Sequence, residues 1–195
     1  MNDDLNMKSD HELMLLCSSG YDGAFDHIVL RYGKRMFSFI NRSLFSASRS
    51  EELVQEVFLR MFKHRHSYTA KAEFSTWCYT IATNLIRDEN RSRRRRPASS
   101  PSGKLDEMQA KIRSPDNDLC SAEIHSAVHR AIETLPEHLR EILVLRDLEG
   151  ISYDEIGRIL QVEVGTVKSR ISRARQAFKE AYSSMGEMDI GGASR

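Results

Sequence analysis

The chain has 195 residues, of which 40% are hydrophobic and 29% charged, and its formal net charge is +1 at pH 7. The apolar share excludes general disorder, and the presence of only ten glycines and four prolines favours helices over sheets. The net charge by itself is uninformative, because it hides a segregation of charge along the chain.

The cysteines and the N-terminal segment indicate the cellular compartment of the protein. Cys17, Cys78 and Cys120 lie far apart and form no Cys-x-x-Cys pair, so a reduced compartment is the simplest interpretation. The segment MNDDLNMKSD is acidic, and the first apolar run, Leu13 to Cys17, is too short for a secretory signal or a membrane span. We therefore expect a cytoplasmic protein without direct membrane insertion.

Apolar residues in the first half recur at spacings of three and four, as on one face of a helix. The pattern predicts four helices: one capped by Asp10 and closed by Gly20, one starting at Asp22, one over residues 50–66 and one over residues 74–93. Residues 68–73 are predicted to be a loop. On the fourth helix Trp77 lies on the apolar side and is expected in the core, whereas Phe74 stands at the loop junction.

A run of arginines at 93–96 marks the end of the first domain, which covers residues 1–96. Residues 97–118 follow with three of the four prolines, serines and alternating charges, a composition typical of a flexible linker. The second domain is predicted over residues 119–183. Residues 184–195 show no periodicity and are predicted to be a disordered tail.

The second domain contains a pair of helices across a tight turn. Ser152 and Glu155 have the spacing of a capping box, which starts a helix that ends before a break at residues 161–165. A second helix follows with Val167 and Ile171 on its apolar stripe. This arrangement predicts a helix-turn-helix, and the fold class is all-α, with two small helical domains joined by a flexible linker.

Positive charge is concentrated on the second of these helices. Residues 166–179 hold five bases and no acid, whereas residues 133–163 hold eight acids and three bases. Small hydroxyls between the cations on the outer face suit a helix that enters the DNA major groove. The pattern therefore predicts DNA binding rather than an ordinary solvated helix.

Two separate blocks carry a family resemblance. The motifs EELVQEVFLR and AEFSTWCYTIATNLIRDENR in the first domain, and LPEHLREILVLRDLEGISYDEIGRIL and VGTVKSRISRAR in the second, resemble bacterial sigma factors of the extracytoplasmic-function (ECF) group. The resemblance covers about residues 9–182. It implies an alternative sigma factor that binds core RNA polymerase, directs it to promoter DNA and helps melt the minus-ten element. It also implies an anti-sigma factor as a probable partner, and neither an enzymatic activity, a cofactor nor a small-molecule substrate.

The resemblance also assigns roles to residues. The polymerase-binding set is Glu52, Gln55, Glu56 and Leu59. The set for the minus-ten element is Lys71, Phe74, Trp77, Thr80, Asn84, Arg87 and Arg91. For contact with a base, Phe74 is favoured over Trp77, and Asn84 and Arg87 are favoured over Phe74. The set for the minus-thirty-five element is Thr166, Lys168, Ser169, Ser172, Arg173 and Arg175. Gln161 stands where the family usually has Gly, and Glu163 stands where Pro is common. These two differences leave open whether the turn has the family's usual geometry.

Two alternatives accompany this interpretation. A dimeric helix-turn-helix regulator that acts without polymerase would explain the second domain alone. Cys120, His125 and His129 have a spacing that could bind zinc, although only three ligands are visible and we predict no metal. The sequence contains no phosphate-binding glycine loop and no paired acid and base, which argues against an enzyme.

Overall fold

A computed structural model describes residues 5–69, 73–95 and 119–191, without the side chains of 119–123, 125 and 186–191. These residues form helices and no strand, which confirms the all-α class. The chain divides into two compact units, the first containing the helices up to Arg95 and the second most of the described chain from Leu119 onward. The predicted linker, residues 97–118, lies outside the described residues, as does Lys71.

The first unit is built around one long helix. Its helices are α1 (Asp10–Ser18), α2 (Gly23–Leu44), α3 (Ala47–Lys63) and α4 (Phe74–Arg95), with a short 3₁₀ turn at Arg65–Ser67. Helix α2 packs against α1, α3 and α4, and α3 also packs against α4. The core consists of fully buried side chains from all four helices, including Met14, Ile28, Phe39, Met61 and Tyr79.

The start of α1 differs from the prediction. Ser9, not Asp10, is the N-cap: its hydroxyl accepts a hydrogen bond from the Glu12 amide at 3.3 Å, and its own amide donates to the Glu12 carboxylate at 2.7 Å. The Ser9 hydroxyl also donates to the Glu12 carboxylate at 2.7 Å, and this bond, followed by the bond from the Ser9 amide, lowers the pKa of Glu12. Asp10 lies inside the first turn, and its carboxylate instead accepts hydrogen bonds from Arg31 at 2.7 Å and Tyr32 at 2.6 Å on α2.

Glu89 joins the ends of three helices. Its carboxylate accepts hydrogen bonds from Arg49 of α3 at 2.8 Å and from Arg93 of α4 at 2.9 Å, and Arg93 also donates to the Leu44 carbonyl at the end of α2 at 3.2 Å. Burial raises the pKa of Glu89, but the bonds to the two arginines outweigh it and hold the pKa below its usual value. The ion pairs therefore stabilise the folded state only while Glu89 is ionised.

We expect Glu89→Gln to lower the free energy of unfolding at pH 7 by about 1 kcal/mol, because it removes the charge from these bonds. The folded-state pKa lies below the unfolded value of about 4.3, so the contribution is present above that pH and is lost as the pH falls through the folded-state pKa. Denaturant unfolding followed by the fluorescence of Trp77, the single tryptophan, checks this at several pH values. Glu51→Gln, at an exposed position of α3, is the matched control, and an equal loss there would contradict the role of Glu89.

The second unit contains α5 (Leu119–Thr134), α6 (Glu137–Leu143), most of α7 (Tyr153–Leu160) and α8 (Val164–Gly191), and α6 continues into a π-helical turn at Val144–Leu148. Helix α8 packs against α5 and α6. Arg140 closes the turn between α5 and α6 by donating to the carbonyls of Glu133 at 2.7 Å and Leu135 at 2.9 Å, and its burial lowers its pKa. Helix α8 continues beyond the predicted boundary at residue 183 to Gly191, and this stretch contains no proline.

Helices α7 and α8 form the predicted helix-turn-helix. The Ser152 hydroxyl accepts a hydrogen bond from the Glu155 amide at 3.3 Å and the Ser152 amide donates to the Glu155 carboxylate at 3.1 Å, as the capping box requires. The turn is tight, since the Val162 amide donates to the Gly157 carbonyl at 3.0 Å and a Cβ at Gly157 would lie 3.0 Å from the Val162 carbonyl oxygen. Gln161 has a φ of 57°, in the left-handed region that favours glycine.

We expect Gln161→Gly to stabilise the second unit by about 1 kcal/mol, because glycine adopts this conformation without steric cost. Amide hydrogen exchange of α7 and α8 in the full chain measures the change. Gln176→Gly makes the same chemical change in the interior of α8 and should instead destabilise the unit by about 1 kcal/mol. Stabilisation by both substitutions, or by neither, would show that the turn at Gln161 is not strained.

Candidate functional sites

One face of α8 is open to solvent. Lys168, Ser169, Ser172 and Arg173 are exposed, whereas Val167, Ile171 and Ala174 are buried against the rest of the unit. Ser169 and Arg173 make hydrogen bonds to carbonyls of their own helix, at 3.0 Å to Thr166 and 3.3 Å to Ser169. The predicted minus-thirty-five residues thus share an accessible surface that combines hydroxyls and cations.

A shallow cavity of about 360 Å³ adjoins this face. Its walls include Tyr153 from α7 and Lys168, Ser172, Arg175 and Lys179 from α8. Cations around a concave surface attract phosphate groups more strongly than isolated surface charges do. The cavity is therefore suited to the backbone of a nucleic acid whose base edges meet the neighbouring face.

Arg175 differs from the other predicted minus-thirty-five residues. Its guanidinium donates two hydrogen bonds to Asp147 of the π-helical turn, from Nε at 2.9 Å and from Nη2 at 2.5 Å. The hydrogen bond and the charge of Asp147 raise the pKa of Arg175. A bidentate pair of this kind fixes the direction of the side chain, so Arg175 links α8 to the end of α6.

The four polar residues of the predicted minus-ten set on α4 lie on one face of that helix. Asn84 and Arg91 are exposed, and Thr80 and Arg87 are partly exposed. The Thr80 hydroxyl donates to the Thr76 carbonyl at 2.6 Å, and Arg91 lies 3.8 Å from Asp88. Spacings of three and four residues place these groups along one side of the helix.

The structure reverses the expected exposure of two aromatic residues. Phe74 is only 2% exposed, because its ring turns inward from the first turn of α4 and packs against Tyr32 with ring centroids 4.9 Å apart. Trp77 lies at the edge of the same cluster, 5.1 Å from Tyr68, and remains partly exposed. Of the two rings, Trp77 is therefore the more accessible, whereas Phe74 was expected to be, and contact of either ring with a base stays a prediction.

The predicted polymerase-binding residues lie on the outer face of α3. Glu52, Gln55 and Leu59 are exposed, and Glu56 is half-buried. Both carboxylates are already paired within the helix: Glu52 with Arg49, and Glu56 with Arg60 at 2.7 Å. Leu59 is 46% exposed, a large fraction for a leucine on a helix flanked by charges.

An apolar groove beside this face was missed at the sequence level. It has a volume of about 540 Å³ and lies between α2 and α3, lined by Phe25, Val29 and Gly33 from α2 and by Val54, Gln55, Phe58, Leu59 and Phe62 from α3. Its lining is almost entirely apolar. The available signal was the width of the apolar stripe of α3, which extends to Leu59 and exceeds what the core requires.

The described residues contain neither a candidate metal site nor a candidate membrane span. No cluster of three or more His, Cys, Asp or Glu residues there could hold a metal ion. The side chains of Cys120 and His125 lie outside the described set, so the zinc hypothesis stays untested. Among the described helices, none has the length and apolarity needed to cross a membrane.

Comparison with known proteins identifies the family. Residues 28–96 match the model of Sigma-70 region 2, and residues 125–178 match that of Sigma-70, region 4. The RNA polymerase sigma-H factor of Pseudomonas aeruginosa is 34% identical over 184 residues, covering 91% of this chain and 95% of that protein. The ECF RNA polymerase sigma-E factor of Escherichia coli is 36% identical over 180 residues, with coverage of 87% and 92%.

Solved structures support the same fold. CnrH in complex with the cytosolic domain of CnrY has a TM-score of 0.69 at 21% identity, with 91% of this chain and 99% of that chain covered. The sigma factor RpoE of Bartonella quintana, in complex with the anti-sigma factor NepR, has a TM-score of 0.64 at 22% identity, with coverage of 82% and 96%.

A helical unit matching region 2 and a helix-turn-helix unit matching region 4 define an RNA polymerase sigma factor. The chain belongs to the ECF sigma factors, as the identity and coverage of its relatives show. It is an alternative sigma factor, a regulatory protein that directs RNA polymerase to promoters. The alternative of a regulator that acts without polymerase does not account for the match of the first unit to region 2.

Proposed function

We propose that the two units divide the work of promoter recognition. The first binds core RNA polymerase and helps to melt the minus-ten element, and the second selects the minus-thirty-five element. The observation that carries this proposal is the placement of the candidate surfaces: the apolar groove and the polar face of α4 belong to the first unit, and the basic face of α8 belongs to the second.

The apolar groove is proposed as the main source of polymerase affinity. A groove between two helices suits an amphipathic helix of the partner. Its apolar side chains would fill the groove, and its basic residues would meet the acidic rim formed by Glu52 and Glu56. Glu52 and Glu56 are already paired with Arg49 and Arg60, so a basic partner group would share or compete for carboxylates whose charge is partly neutralised. The rim charges therefore contribute mainly to specificity, and Leu59 and its apolar neighbours contribute most of the binding free energy.

The face of α4 is proposed to hold the opened minus-ten strand. An unstacked base needs an aromatic surface, and the partly exposed ring of Trp77 provides one. Asn84 offers donor and acceptor groups for a base edge, and Arg87 and Arg91 can hold phosphates. Lys71 remains part of this proposal as a residue outside the described chain.

The face of α8 is proposed to read the minus-thirty-five element in the major groove. Lys168 and Arg173 can reach guanine, and Ser169 and Ser172 can meet either partner of a base pair. Thr166 lies at the start of the helix, where its position suits a backbone phosphate. Arg175 is proposed to orient the helix through Asp147 rather than to read a base.

This function is recruitment by binding, and we propose no enzymatic activity, cofactor or small-molecule substrate. The site of action is the cytoplasm, where promoters and polymerase meet. An anti-sigma factor is the remaining proposed partner, because the RpoE protein of Bartonella quintana forms such a complex with NepR. The groove of the first unit and the basic face of the second are the surfaces that it would cover.

Reconstituted transcription tests the proposal. Promoters are first mapped from transcription start sites after overproduction of the chain, and purified core polymerase is then assayed on them with and without it. We expect start sites to be selected only when both proteins are present. Specific DNA binding by a dimer of the chain, with no change in polymerase selectivity, would favour the alternative regulator instead.

A further inference from the structure

The first turn of α1 makes hydrogen bonds to two tyrosines from other segments, Tyr32 on α2 and Tyr68 ahead of α4. The Tyr68 hydroxyl is hydrogen-bonded to Nδ1 of His11, and the Tyr32 hydroxyl donates to the Asp10 carboxylate at 2.6 Å. Arg31 donates to the same carboxylate at 2.7 Å. Two consecutive residues of α1 thus satisfy the hydroxyls of two buried aromatic residues.

Both tyrosines belong to the aromatic cluster that contains Trp77. Tyr68 lies 5.1 Å from Trp77, and Tyr32 lies 4.9 Å from Phe74, which in turn lies 6.1 Å from Trp77 between ring centroids. Tyr32 and Tyr68 are 6% and 9% exposed. The partly exposed ring of Trp77 therefore rests on residues whose polar ends are attached to α1.

These hydrogen bonds fix the orientation of the Tyr32 and Tyr68 rings. Aromatic rings packed only by apolar contacts can tilt among several edge and offset arrangements, whereas a buried hydroxyl with one partner restricts the ring to one direction. Burial, followed by the charges of Asp10 and Glu73, raises the pKa of Tyr68 to about 12, so its hydroxyl remains protonated at neutral pH. The bond to His11 therefore stays available to hold the ring that contacts Trp77.

We propose that the first turn of α1 positions the Trp77 ring for the opened minus-ten strand, with His11 and Asp10 acting as positioning residues through Tyr68 and Tyr32. This inference rests on the proposed role of Trp77 in holding an unstacked base. It assigns to α1 a part in strand opening although neither His11 nor Asp10 lies on α4.

The test uses a single-stranded oligonucleotide that carries the minus-ten element of a mapped promoter, and two variants that break the same bond. Tyr68→Phe keeps the ring, and His11→Ala removes its partner. We expect each to weaken binding of holoenzyme to this strand by about 3- to 10-fold, and the double variant to weaken it no further. Affinity for core polymerase should be unchanged, because the apolar groove lies elsewhere on the unit.

The single tryptophan supplies an independent readout in the full chain. We expect acrylamide quenching of Trp77 fluorescence to change in His11→Ala and to return towards the original value in His11→Asn, whose amide can replace Nδ1. His27→Ala is the matched control, because it removes a histidine bonded at 3.0 Å to Asn6, on α2 and apart from the cluster. It should alter neither quenching nor strand binding.

The outcomes separate the two proposals. Unchanged strand binding in both His11→Ala and Tyr68→Phe would overturn the positioning role, and so would additive losses in the double variant. A parallel loss of polymerase affinity would also overturn it, since that result indicates general destabilisation of the unit. If the original holoenzyme shows no preference for the minus-ten strand over a scrambled strand, the proposed function of the α4 face fails instead.

Discussion

Leu59→Arg should weaken the binding of core RNA polymerase by about 100-fold, an effect typical of a central interface residue. Leu59 is 46% exposed in the free chain, so an arginine there can extend into solvent without disturbing the core. In the complex the same guanidinium would enter the groove, whose almost entirely apolar lining compensates little for its lost hydration. Titration of labelled core polymerase with the full chain measures the dissociation constant.

Leu30→Arg is the matched control for this prediction. Leu30 lies on α2 in the same unit, is 77% exposed and does not line the groove. It introduces the same charge into the same unit, so it should leave polymerase affinity within about two-fold of the original, as surface substitutions away from a binding site usually do. Equal losses in the two variants would assign the effect to charge and not to the groove.

The architecture was largely predictable because its signals are local. Apolar residues at spacings of three and four define the helices of both units, and the capping box of Ser152 and Glu155 is present as expected. The positive φ of Gln161 also agrees with the expectation of a strained turn, since a glycine is usual there in the family. Each of these features depends on residues within one or two helical turns of each other.

The errors arise where contacts between distant segments decide the outcome. Ser9 and Asp10 are both good capping residues, and the choice depends on Arg31 and Tyr32, which engage Asp10 from α2. Periodicity places Phe74 and Trp77 on similar sides of α4, and only the position of Tyr32 shows that Phe74 is the more deeply buried.

The groove and the Arg175 pair were missed for the same reason. The groove exists because α2 and α3 pack with Gly33 opposite the apolar residues of α3, a relation between two helices that neither pattern contains alone. Asp147 lies 28 residues before Arg175 and meets it only through the packing of α6 against α8. Sequence reasoning therefore places Arg175 correctly on the basic helix and still assigns it the same task as Arg173.

Arg173→Ala should reduce discrimination for the minus-thirty-five element by about 1 to 3 kcal/mol, the range for loss of one base contact. Arg173 is exposed, and its Nε is bonded only weakly to its own helix, at 3.3 Å from the Ser169 carbonyl. Its terminal nitrogens can therefore turn towards a guanine edge. Binding of holoenzyme to a mapped promoter and to a version with a substituted minus-thirty-five element, at one salt concentration, measures the change.

Arg175→Ala provides the contrast, because it removes a cation from the same helix. Its guanidinium is engaged with Asp147, so we expect a smaller loss that is similar for both promoters, and Asp147→Ala should reproduce that loss. The pair is partly exposed, with side chains 52% and 31% accessible, so its own contribution should not exceed about 1 kcal/mol. A base-specific loss in Arg175→Ala that Asp147→Ala does not share would instead make Arg175 a reading residue, because only a direct contact distinguishes one base pair from another.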